Sequence, residues 1–358
     1  SESAEESKGG QPGVRIVFKD AYGQLTESQV ESAPESSFVR ALYNARKSWN
    51  DAVTSGESGD HESFVRGAYR SLALDPRGRG ILGSKASHDA YNAAKEYGMA
   101  ILAGTAEPPA SADPMVPLPL RLAALEALMP LFGAFMVVRL RGKAPLAVEF
   151  IDSCVKILEP WVAVPAPSPI HSALAAVSEG ATPAQVLALA LAARAQFRQF
   201  LVFESQRAEA MGVTPSVVRS APTGAGGGEG AEGDSVAADG ASPDLSEPPP
   251  EAMLTGLNRQ RTVEAALADA ARAVELDGSL AVAHALQGWA LCELHREREA
   301  TLPLLRAAQA TPQDDPHCAR LWHSFLYSAL FSRGSARKLG QLRKAYGSAK
   351  AARQVASA

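Results

Sequence analysis

The chain has 358 residues, 46% of them hydrophobic and only 6% aromatic, with Ala and Leu carrying most of the apolar share. That length suffices for two ordinary domains and a sizeable core, and that composition argues against a β-sandwich, which draws on Val, Ile, Thr and aromatic residues. The formal net charge of −4 is ordinary for a soluble protein and informs only through its uneven placement, while three scattered cysteines, Cys154, Cys292 and Cys318, form no C-x-x-C pair and fit an intracellular, reducing compartment better than a disulfide scaffold.

The first residue is Ser1, as it would be after removal of a mitochondrial or plastid presequence and equally after trimming. Residues 1–32 read as an N-terminal arm. "SESAEESKGGQP" is polar and expected to be disordered, whereas "VRIVF" puts Val14, Ile16 and Phe18 on one side. With "AYGQ" behind it, that run suggests a short hairpin or a strand laid on a partner.

From 33 to 211 the apolar period is helical. Phe38, Leu42 and Ala45 share a face with Trp49 nearby, and Phe64, Ala68 and Leu72 repeat the theme. Short connections between such segments are what antiparallel helix hairpins require. Residues 72–85, "LALDPRGRGILGSK", spell G-x-G-x-x-G through Gly78, Gly80 and Gly83, ahead of Ser84 and Lys85. In a Walker A loop the lysine precedes the hydroxyl, because the amine reaches the outer phosphates while the hydroxyl ligates Mg²⁺, and here that order is reversed. A dinucleotide fingerprint follows a β-strand, yet the residues before Gly78 are helical in period and stopped by Pro76. The stretch is expected to be a flexible helix–helix connection, and no nucleotide or other cofactor is expected.

"LAALEALMPLFGAFMVVRL", residues 122–140, is apolar enough to ask whether it crosses a membrane. It carries Glu126 and Pro130 and falls short of the roughly 20 apolar residues a span needs, so a core helix is the expectation. Residues 212–250 then change character. "GAGGGEGAEGDSVAADGASPDLSEPPP" is Gly, Ser, Pro and acid with no apolar period, a disordered linker or an insertion between two helices of one hairpin.

Order is expected again over 251–350. There "VEAALADAARAVELDGSLAVAHALQGWALCELHREREATLPLLRAAQATPQD" carries Gly288, Ala300, Leu304, Ala307 and Pro312 at offsets that repeat one period earlier as Ala266 and Ala273. This stretch, clearest over 262–314, resembles the tetratricopeptide (TPR) repeat, a 34-residue helix–turn–helix unit. The resemblance implies an all-α fold, an irregular TPR-like solenoid of helix hairpins, in which small residues sit where helices cross and each unit covers its neighbour's apolar face. It further implies that Val282, Ala285, Trp289 and Cys292 line a groove, with Trp289 as a partner-binding anchor. Packing of Trp289 against the next helix pair is the alternative. Elsewhere the register loosens: Leu-Asp-Pro at 74–76 and Pro160 are expected helix stops, and Trp322 falls where a small residue belongs.

After Asp315 the chain contains no Asp or Glu, while Arg320, Arg333, Arg337, Lys338, Arg343, Lys344, Lys350 and Arg353 follow. The run "SARKLGQLRKAYGSAKAARQV" is expected to form a basic amphipathic helix able to meet RNA, an anionic membrane surface or an acidic partner. Two His/Cys groups, His284–Cys292–His295 and His317–Cys318–His323, lack a closed zinc spacing, so no metal is expected. With no nucleophile elbow and no paired acids, no catalytic residue is expected either. The chain reads as a non-catalytic scaffold or adaptor for other proteins within a larger complex, with no small-molecule substrate.

Overall fold

A computed structural model describes residues 16–20, 23–103, 105, 116–141, 144–211 and 256–331. The protein is all-α, as expected, apart from one ribbon. Strands β1 (Ile16–Asp20) and β2 (Gly23–Thr26) pair antiparallel, with Phe18 opposite Leu25 and Asp20 opposite Gly23. A five-residue helix, α1 (Glu27–Glu31), follows inside the stretch expected to be an extended arm.

Helices α2 (Phe38–Glu57) and α3 (His61–Leu74) form the first long hairpin. Each starts at a side chain that satisfies otherwise unpaired amides: Ser37 accepts from Arg40 N and Asp60 from Ser63 N. The faces read from the sequence are the buried ones. Phe38, Leu42, Ala45, Trp49, Phe64, Ala68 and Leu72 are all in the interior, and Trp49 donates its indole N–H to Leu82 O at 3.1 Å. Helix α4 (Lys85–Leu102), capped by Ser84, packs back on α2.

The apolar segment at 122–140 belongs to α5 (Leu118–Arg141), whose most hydrophobic stretch is 72% buried against its neighbours, as a core helix would be. Arg121 of α5 and Glu62 of α3 form a buried ion pair. Helix α6 (Ala144–Val162) runs two residues past Pro160, which therefore lies inside the helix instead of stopping it. A short α7 (Pro169–Val177) packs on α5 and leads to α8 (Pro183–Ala210). Helix α8 opens with a capping box, Thr182 and Gln185 each satisfying the other's backbone.

The C-terminal part comprises α9 (Gly256–Leu276), α10 (Ala281–Glu293), α11 (Glu297–Ala310) and α12 (Pro316–Phe331). From α5 onward successive long helices pack on one another: α5 on α6, α6 on α8, α8 on α9, α9 on α10, α10 on α11, α11 on α12. The expected insertion, 212–250, lies outside the described residues, but the helices on either side of it, α8 and α9, lie against each other. Their ends are joined by Arg259 Nη2 donating to Glu209 at 2.9 Å. Where α10 and α11 cross, Gly288 lies against Leu304, and Ala300, Leu304 and Ala307 are buried. A β-carbon at position 288 would sit 2.6 Å from Leu304 Cδ2, so only glycine permits this approach.

Charged networks fasten these layers. Arg194 of α8 donates to Asp152 of α6 at 2.6 Å and to Asp269 of α9 at 2.6 and 2.9 Å, and Arg198 pairs with the same Asp269. Asp269 is only 5% exposed. A carboxylate taken out of water is tolerable because two guanidiniums fill its acceptor positions.

Candidate functional site

The glycine stretch is a pinned turn, not the flexible connection its composition suggests. Asp75 follows α3 and turns its carboxylate into the loop, accepting from Arg79 N at 2.6 Å and Gly80 N at 3.2 Å, while Gly78 N donates to Asp75 O. The amides that a phosphate-binding loop leaves open are thus consumed by the loop itself. Gly78 holds a φ of +66° against the Phe135 ring. Arg79 then reaches out of the loop: it pairs with Asp75 at 2.8 Å, donates to Asp315 before α12 at 3.2 Å, and lies 4.4 Å over the Phe38 ring. Beside it, Asp314 accepts from the amides of Phe38 at 2.8 Å and Val39 at 3.2 Å at the start of α2. The first long hairpin and the start of α12 therefore meet at this loop.

The sequence-predicted groove residues divide into two groups. Val282 is buried in the main core with Ala283 and Leu286, so it presents no free surface, a correction to its expected role. The helix bearing it is packed by α8, α9 and α11, and the turn that carries Val282 faces inward. Ala285 and Cys292 are half-buried against the α11–α12 cluster, in company with Trp322. Trp289 is half-buried and stands edge-on to Phe203 of α8, ring centroids 5.8 Å apart at 70°. Its indole N–H is buried and meets no acceptor among the described residues. Phe203 itself is 43% exposed. One further turn along, Gln206 donates to Glu293 at 3.2 Å and ties α8 to α10.

Two separate aromatic pairs lie on these helices: Phe203 of α8 with Trp289 of α10, and, within α12, Trp322 edge-on to the buried Phe325 at 5.8 Å. Such rings offer broad apolar area with few rotatable bonds, which makes them efficient contact residues. Phe203 was not legible as a member, because the apolar run of α8 places hydrophobic residues on every side. Arg337, Lys338, Arg343 and Lys344, the expected basic contact residues, lie outside the described residues.

None of Cys154, Cys292 and Cys318 forms a disulfide. Burial pushes Cys154 up to about 12, and burial with Glu297 and Glu293 pushes Cys292 up to about 11. Cys318 is buried under Ala308 O. No group of three metal-ligating side chains comes together among the described residues. His284 instead faces Gly278 O at 3.0 Å, inside the turn between α9 and α10. A scan against models of known protein families finds no match, and a search of curated proteins finds none.

Proposed function

We propose that this protein is a non-catalytic scaffold or adaptor, built on TPR-like helix pairs, that binds other proteins as a subunit or assembly factor of a larger complex. The observation that carries the reading is the aromatic pair between α8 and α10, with Phe203 exposed beside Trp289. The pairing of α8 with α9 and of α10 with α11, and the tight Gly288–Leu304 crossing, support the repeat resemblance on which it rests. The test is affinity capture of the full chain from its native lysate at low and high salt, beside Phe203→Ala and a version lacking 333–358. Protein partners that persist in high salt and without the tail, but fall away with Phe203→Ala, are the expected result. Partners indifferent to Phe203→Ala would count against the aromatic pair as the contact.

A second reading follows from the absence of acidic residues after Asp315: the chain contacts RNA through its basic C-terminus. Its mark would be RNA that co-purifies and is released both by salt and by removal of 333–358.

A further inference from the structure

The junction between the first long hairpin and α12 is held by charge. Among the described residues neither α2 nor α3 packs broadly on α12. Contact rests on Arg79, which bridges Asp75 and Asp315, and on Asp314, which accepts from Phe38 N at 2.8 Å and Val39 N at 3.2 Å. The third amide of that turn, Arg40 N, is capped from within by Ser37 Oγ at 3.3 Å. Helices α3, α4, α7 and α8 take their caps from the residue immediately before each. The start of α2 adds to its own Ser37 a carboxylate 276 residues away in sequence.

We propose that this junction is a charge-operated latch and that Ser37 is its modification site, phosphorylation there releasing α12. The half-buried Ser37 follows Pro34, Glu35 and Ser36, all exposed, so the segment lies on the surface. In the step, Ser37 Oγ attacks the γ-phosphoryl group of ATP held by a protein kinase. The new O–P bond forms as the bond to ADP breaks, and the hydroxyl proton passes to the kinase's base. The product is an anion of about twice the carboxylate's charge, tethered where backbone N–H groups and the helix dipole favour negative charge. Phe38, Val39 and Arg40 cannot offer the same amides to a phosphate and to Asp314 together. The tether gives the phosphate the advantage, and its charge repels the displaced Asp314. Cations flank this end of α2 as well: Arg40, 3.9 Å from Glu35, and Arg79, whose guanidinium lies 4.4 Å over the Phe38 ring. Attraction of Arg79 toward the phosphate weakens its bridge to Asp315, the other half of the latch.

The experiment incorporates phosphoserine in place of Ser37 in the full chain and follows amide hydrogen exchange. The same replacement of the exposed Ser58, at the opposite end of α2, is the control for added charge. With position 37 phosphorylated, the amides of Phe38 to Arg40 should stay protected while those at the start of α12 exchange about tenfold faster, with α8 unchanged. Asp314→Asn should loosen the start of α12 to a similar degree without phosphate, and phosphorylation should add little in that variant. An unchanged α12, an equal effect from position 58, or full additivity with Asp314→Asn overturns the latch. The adaptor reading stands apart from these outcomes, because it rests on the contact between α8 and α10.

Discussion

At the scale of single residues, Gly78 illustrates how a local motif can mislead. Its positive φ and its contact with Phe135 serve packing, so Gly78→Ala meets both backbone strain and a clash. A loss of about 2–3 kcal/mol is expected, read as a lower urea midpoint with an unchanged slope. His317 gives a pH signature. Its folded value lies near 4 against an ordinary 6.5, because burial and the arginines disfavour the imidazolium. The unfolded chain therefore binds the proton more readily, and the contribution of this ring is complete above pH 6.5 and fades as pH falls toward 4. Allowing for its half-exposed ring, about 1–2 kcal/mol should be lost across that window. Chemical denaturation at several pH values would show it, and His317→Gln should flatten that part of the profile. An unchanged profile in the variant would assign the pH dependence elsewhere.

At the scale of elements, what was legible followed from periodicity. The buried faces of α2 and α3, the core nature of α5, and the small residues at the α10–α11 crossing were readable because burial there obeys the helical repeat. The networks were not readable. Arg194 and Asp269 are 75 residues apart in sequence, and nothing in the local pattern of either helix announces that they meet. The same blindness hid Phe203 and left Val282 misplaced, since a hydrophobic residue on a helix packed from several sides has no sequence mark of which side it faces. Asp269 yields the sharpest element-level prediction. Asp269→Ala leaves Arg194 and Arg198 partly buried without their shared carboxylate, and about 3 kcal/mol should be lost. Simultaneous removal of both arginines should cost less than the sum of the single changes, and a thermal-melting double-mutant cycle would measure that coupling. Strict additivity would contradict the network.

At the scale of the whole molecule, the first long hairpin and α12, the last described helix, are joined by Arg79, Asp314 and Asp315 without broad helix-to-helix packing. Arg79→Gln should therefore loosen the junction while the separate hairpins persist. The expected reading is faster hydrogen exchange at the Phe38 and Val39 amides and at the start of α12, with little change inside α8. Uniform acceleration across the chain would mean that the latch is part of global stability instead.

The Glu209–Arg259 bridge has a consequence for how the gene product tolerates being cut. The mouth of the connection between α8 and α9 is closed by helix packing and by that ion pair, both made by described residues of the two helices themselves. For those contacts covalent continuity contributes an effective concentration, and lengthening the connection twofold costs only about 0.6 kcal/mol. Two polypeptides split within this segment should consequently reassemble when co-expressed, and a permuted chain opened at the same place should fold to the same array.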